Sequence, residues 1–203
     1  MALPLDVADT ASFPSFREAV TRALEENWRG ASLHGLVNNA GFRLYSPLET
    51  VTEAQFDGLF LVHLKGPFFL TQALLPLIRK GGAIVNLTSA TTRVATAGIA
   101  PYASFKGGLE VLTRYMAKEF GPRRIRANAV SPGAIRTELG GGLTDEFEAL
   151  LASQTALGRV GEAEEVGRVG EAEEVGRVIA RLLTDEFGWV NGQSIEVGGG
   201  YCI

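Results

Sequence analysis

Residues 83–106 read AIVNLTSATTRVATAGIAPYASFK, and the reading of this stretch decides the fold. It opens on a mostly apolar run of strand length, Ala83 to Thr88, as expected of a strand buried on both faces. It closes on Pro101 and Tyr102, where a helical stretch begins that runs to Phe120. Buried strands alternating with amphipathic helices make a parallel sheet covered by helices. The alternation continues in both directions. Further strands are expected at Leu3 to Val7, Gly35 to Asn38, Arg126 to Ser131 and Ser194 to Val197. Helices are expected over Pro14 to Trp28, where Phe16, Ala19, Val20 and Leu24 have helical spacing, over Thr52 to Leu64 behind a capping threonine, and over Pro67 to Arg79. Gly81, Gly82 and Gly121-Pro122 are read as helix stops. The fold class is α/β, a doubly wound parallel sheet of about five strands.

Composition narrows the class of function. A chain of 203 residues, 46% hydrophobic and 21% charged, forms one domain with a sizeable core. A net charge of -4 and only short basic clusters, such as Arg123, Arg124 and Arg126, argue against a nucleic-acid partner. Cys202 has no second cysteine to pair with, and His34 and His63 lie in no metal-ligand pattern, so neither a disulfide nor a metal is expected. The N-terminus lacks the basic start and apolar run of a signal peptide. The most apolar stretch, Leu59 to Ile78, is interrupted by His63, Lys65, Gly66, Pro67 and Gln72, and reads as two buried helical pieces, not a membrane span. A cytoplasmic protein is expected.

Chemistry concentrates at Tyr102 and Lys106, with Ser89 upstream. Positions four apart share a helix face, so the phenol and the ammonium can enter one cleft. A free phenol titrates too high for proton exchange at neutral pH, and a neighbouring ammonium favours the phenolate. Such a pair suits acid/base work on an alcohol or carbonyl, and Ser89, at the end of its strand, can hydrogen-bond the developing oxyanion. Asn38-Asn39-Ala40-Gly41, Asn86-Leu87-Thr88-Ser89 and Ser131-Pro132-Gly133 each end a strand, at the sheet edge where open parallel sheets bind ligands.

Together these motifs resemble the short-chain dehydrogenase/reductase family, in particular its 3-oxoacyl-[acyl-carrier-protein] reductase-like members, from Leu3 to Gly200. The resemblance implies a Rossmann-like sheet, NAD or NADP as cofactor, a small alcohol or ketone substrate, and a homodimer or homotetramer. It implies Tyr102 as proton donor or acceptor, Lys106 as ribose ligand and modulator of the phenol, and Ser89 as the residue that orients the substrate. Asp6 and Val7 match the family's adenine contact, and Asn38, in Asn38-Asn39-Ala40-Gly41, its contact near the adenosine ribose. Ile135, within Pro132-Gly133-Ala134-Ile135-Arg136-Thr137, matches its carboxamide contact.

Two departures stand out. His63 occupies the family's asparagine position in the sequence Val62-His63-Leu64-Lys65-Gly66, where that asparagine holds a relay water. His63 serves either as a substitute relay or only as packing. The resemblance also starts at the family's third strand, so roughly 50 residues, two strand-helix units with the glycine loop, have no counterpart. Without that loop, dinucleotide binding by these 203 residues is expected to be weakened. The alternative readings are a catalytically impaired pseudoenzyme that oligomerises but binds dinucleotide poorly, or a fragment. Leu3 to Val7 is expected to pair directly with Gly35 to Asn38 through a right-handed crossover.

One repeat remains. Residues 160–168 and 169–177 both read VGEAEEVGR. Nine helical residues turn a helix by about 900°, which is 180° out of phase, so the duplication cannot sit inside a packed helix. The second copy is expected to start the helix through Val178, Ile179, Leu182 and Leu183, burying Val175. The first copy is expected to be a solvated extension that leaves Val166 exposed and contributes little to the core.

Overall fold

A computed structural model describes residues 1–136, 144–162 and 173–203. Four strands form the main sheet: β1 (Leu33–Asn38), β2 (Ile78–Leu87), β3 (Arg126–Pro132) and, at the far side, the strand Ser194–Val197. All neighbouring pairs are parallel. A separate parallel pair joins β4 (Ile135–Arg136) to β5 (Gly161–Glu162), so Ser194–Val197 is β6. The helices are α1 (Phe13–Trp28), α2 (Glu53–Phe60), α3 (Gly66–Leu74), α4 (Ala100–Phe120), α5 (Asp145–Ser153) and α6 (Glu173–Leu182).

The sheet is wound on both faces. Ile84 and Ala127 face α4 and pack with Met116, Ala117 and Ile125. Val85, Leu87 and Val130 point the other way, onto Leu182, Val175, Val178 and Ile179 of α6. Successive residues of one strand thus enter opposite cores, which is why these strands read as continuous apolar runs.

Three expectations need correction. Leu3 to Val7 forms no strand, and β1 is the sheet edge among the described residues. Pro4 lacks an amide donor, and Asp6 diverts the chain into a turn, its carboxylate accepting from the Ala8 amide at 2.9 Å. Leu5 and Val7 instead pack on the cluster of Phe13, Leu70 and Leu74. The Val7 carbonyl lies 2.4 Å from where a Cβ on Gly66 would sit, so this approach requires glycine there. Second, Thr52 to Leu64 and Pro67 to Arg79 are not separate pieces. Helix α2 starts on the expected cap, with Thr52 and Gln55 forming a reciprocal capping box, and a π-helical turn, Leu61–Lys65, joins it to α3. The continuous helical run Glu53–Leu77 is long and apolar enough to cross a membrane by length and composition. Its Leu59, His63, Leu70, Thr71 and Leu74 are nevertheless buried in the domain. Third, the helix ends before Gly81 and Gly82. Pro76 tightens its last turn to a short 3-10 helix, β2 is under way at Ile78, and the two glycines lie inside that strand beside a register shift against Leu33 and Gly35.

Candidate active site

Parallel strands deliver their carboxyl ends to one edge of the sheet, and the candidate residues gather there. Strand β2 ends at Leu87 and hands Ser89 to a 3-10 turn, Ala90–Thr92. Ser89 Oγ accepts from the Thr91 amide at 3.3 Å and from Thr91 Oγ1 at 2.9 Å. Ser89 Oγ thereby accepts twice, and its own proton is left to donate. Helix α4 brings Tyr102 and Lys106, both buried, to the same place. Lys106 Nζ donates to the Leu87 carbonyl at 2.6 Å and lies 5.6 Å from the centroid of the Tyr102 ring.

The electrostatics differ from the expectation in one respect. Burial pushes the Tyr102 phenol above its ordinary value, opposed by a hydrogen bond from Ser89 and by the charge of Arg43. Lys106 is pushed down to about 8 by burial. Lys106 keeps its charge at neutral pH but loses it before this phenol ionises on its own. In the free protein Tyr102 therefore stays protonated at neutral pH. Arg43 escaped the sequence reading because it lies just past the Asn38-Asn39-Ala40-Gly41 motif and belongs to none itself, and only the fold sets its charge against the phenol.

His63 lies in the π-helical turn and is 1% exposed. Its Nε2 is 2.7 Å from the Phe42 carbonyl, which can only accept, so Nε2 carries the proton. Nδ1 is buried and has no hydrogen-bond partner. The ring meets Tyr102 edge-on, with centroids 5.0 Å apart. A Cβ on Gly41 would lie 2.8 Å from His63 Cε1, so the loop after β1 can close on the imidazole only with glycine at that position. Burial first, and the Lys106 charge second, push His63 down to about 4, while the bond to Phe42 pulls it up.

That shift predicts acid lability. The unfolded histidine binds a proton near its ordinary value of about 6.5, and the folded one does so only near 4. Stability from His63 is therefore complete above the unfolded value and is lost as pH falls through that window. Urea melts should show a loss of about 2 kcal/mol from this group between pH 6.5 and 5, and His63→Gln should flatten that slope. An unchanged slope in the variant would remove His63 as the cause.

Of the residues matched to cofactor contacts, Val7, Asn38 and Ala40 line one apolar groove of about 420 Å³, shared with Asn39 beside the free edge of β1. The Asn38 side chain is not turned to a ligand. Its Nδ2 donates to Asn86 Oδ1 at 2.8 Å and to Thr71 Oγ1 at 3.2 Å, and Asn86 Nδ2 donates on to Thr113 at 2.8 Å. This buried chain ties β1, β2, α3 and α4 together, and a lone core asparagine would lack such partners. Asp6 is exposed, with its carboxylate in the turn to Ala8. Gly41 is taken up by the contact with His63. Pro132 ends β3 and Gly133 follows it, whereas Ile135 lines a second cavity of about 300 Å³ with Leu157, Val178 and Ile195. Thr137 lies outside the described residues.

The residues present fit the nicotinamide half of a dinucleotide. Only one of the three Lys106 ammonium donors is used by an acceptor among the described residues, and Ser131 Oγ, buried at the end of β3, has no partner. The pyrophosphate half has no matching feature among the described residues: α1 follows a turn of Thr10, Ala11 and Ser12 instead of a strand and glycine loop.

The sequence profile of the family described as enoyl-(acyl carrier protein) reductase matches residues 1–202. The chain is 36% identical to a 3-oxoacyl-[acyl-carrier-protein] reductase of Thermotoga maritima over 92% of its own length and 72% of that protein's. It is 35% identical to an uncharacterized oxidoreductase of Methylorubrum extorquens, covering 95% of this chain and 74% of that one. The crystal structure of an angucycline C-6 ketoreductase with bound NADP superposes with a TM-score of 0.87 at 29% identity, covering 97% of this chain and 73% of that chain. By sequence and by fold, the chain belongs to the short-chain dehydrogenase/reductase family, oxidoreductases acting on CH–OH and ketone groups.

Proposed function

We propose that this chain exchanges hydride between NAD or NADP and a small secondary alcohol or ketone, through Ser89, Tyr102 and Lys106. The observation that carries the reading is the meeting of these three side chains at the carboxyl end of β2, with Lys106 Nζ on the Leu87 carbonyl and 5.6 Å from the phenol ring. Bound nicotinamide supplies the hydride for reduction. Tyr102, protonated at neutral pH, delivers the proton to the carbonyl oxygen, and the Ser89 hydroxyl turns from the phenol to hold that oxygen as charge develops. Lys106 presents its remaining donors to the ribose, and a cation there stabilises the phenolate left behind. His63 offers Nδ1 as a buried acceptor beside the phenol, the position a proton relay requires. Ile135, Pro132, Gly133 and Thr137 are assigned to the nicotinamide end, and Asp6, Val7, Asn38, Ala40 and Gly41 to the adenosine end, Asn38 through its backbone.

The family resemblance supports a cytoplasmic homodimer or homotetramer. Phe68 and Phe69 of α3 and Val111 and Tyr115 of α4 are 40 to 63% exposed, an apolar outer surface suited to a second copy. Without a glycine loop in these 203 residues, the loss of about 3 kcal/mol of pyrophosphate contacts would weaken dinucleotide binding roughly a hundredfold. Light scattering and calorimetric titration with NADH and NADPH test the reading together. A mass of two or four chains and saturable but weak binding are expected. A monomer would remove the assembly, low-micromolar affinity the weakening, and no binding at all would favour the impaired pseudoenzyme.

A further inference from the structure

We propose that Arg43 selects the substrate by binding an anionic oxyacid group, a carboxylate or a phosphate, carried close to the reacting carbonyl. The inference rests on the reading of Tyr102 as the reacting centre.

Arg43 is the one cation beside the phenol left without a partner among the described residues. Arg93, four residues beyond Ser89, uses four of its five donors: Nε and Nη2 bond Glu196 at 2.7 and 3.1 Å, and the carbonyls of Tyr201 and Cys202 each accept at 2.8 Å. Lys106 is bound to the Leu87 carbonyl. Arg43 is half-buried and makes no ion pair or side-chain hydrogen bond among the described residues, yet its charge reaches the Tyr102 phenol. A partly dehydrated guanidinium with five unused donors is costly unless something completes it.

Its position is fixed from both sides. The preceding carbonyl, of Phe42, is held by His63 Nε2 at 2.7 Å. The following side chain, Leu44, packs against the cluster of Leu59, Ile99, Tyr102 and Phe105. The backbone of Arg43 is therefore anchored one residue away from contacts to both His63 and the tyrosine's own cluster. No carboxylate acts on Tyr102, Lys106 or His63, so the charge the described residues place at the cleft is positive and uncompensated. A guanidinium fork matches the two oxygens of a carboxylate or phosphate, and a low-dielectric setting strengthens the pair.

The test measures binding to the 203-residue chain by saturation-transfer NMR, using acetoacetate, its neutral methyl ester and hydroxyacetone phosphate. The two anions should bind about tenfold more tightly than the ester, as a charge-assisted bidentate pair implies. Arg43→Gln should bring the ratio to within about twofold while leaving the ester's affinity and the melting temperature unchanged, and Arg43→Lys should keep part of the preference. Preference for only one anion would name the oxyacid. Equal binding of acid and ester, no binding of either, or a preference that survives Arg43→Gln would overturn the proposal. So would an Arg43→Gln variant that loses dinucleotide affinity instead, which would give the guanidinium to the cofactor. Because the readout is binding, a chain that prefers anions and binds NADH or NADPH but turns nothing over would refute the assignment of Tyr102 and leave Arg43 as an anion ligand.

Discussion

Tyr102→Phe is expected to lower kcat for ketone reduction by about a hundredfold to a thousandfold, with KM nearly unchanged. The substitution deletes one hydroxyl and leaves the ring in the cluster it shares with Leu59, Ile99 and Phe105. Stability should therefore shift by under about 1 kcal/mol, so lost turnover cannot be attributed to lost fold. The size follows from the role. No other group at the site combines reach with a transferable proton at neutral pH: Lys106 is bound to the Leu87 carbonyl, and His63 is neutral with its proton committed to Phe42. Removing a general acid typically costs two to four powers of ten. Steady-state rates with NADH or NADPH and a small ketone decide the matter. A variant within a few fold of the parent would mean that another donor serves the carbonyl.

The second large effect concerns the duplicated segment, where the structure divides the two copies in an unexpected way. The first copy is not a solvated extension throughout: Val160 is 2% exposed, and Gly161 pairs with Ile135 in the small sheet. The second copy enters α6 as expected, and Val175 packs against Val85, Leu87, Val130 and Leu182. Glu174, just before it, pairs with Arg159 at 2.7 Å. The head of one copy and the tail of the other are thus both anchored. Val166 lies outside the described residues. Val160→Asp and Val175→Asp are each expected to destabilise by about 2 to 4 kcal/mol, since either forces a carboxylate into an apolar site. Thermal melts measure both. If Val160→Asp is silent, the first copy is peripheral after all and the anchoring inferred from its burial fails.

Much of the framework that positions the candidate site was legible because it is local. Ser194–Val197 is a strand with the expected bounds, and α4 starts one residue before Pro101 and ends at Phe120. The four-residue spacing of Tyr102 and Lys106 fixes a shared helix face whatever surrounds it. The cap at Thr52 was equally readable, since a capping box is satisfied within four residues.

What escaped the sequence depends on partners distant in the chain. Leu3 to Val7 has the apolar content of a strand, but a strand also needs a hydrogen-bonding neighbour, and these residues find the helices instead. Asn38 reads as a ligand contact until Asn86 and Thr71, 48 and 33 residues away, claim its side chain. Arg43 belongs to no motif, and its charge meets the phenol only because the loop after β1 is held by His63 and packed beside Tyr102. The two copies of VGEAEEVGR are identical in sequence, so no local property can distinguish them. The sequence by itself determined the alternation of strands and helices from α1 through β3, the strand-end motifs and the Tyr102-Lys106 face, because periodicity and i,i+4 geometry act over a few residues. The tertiary structure alone decided which polar side chains turn inward, which cation lacks a partner and which residues of each copy are buried, because burial and charge compensation are properties of the packed chain.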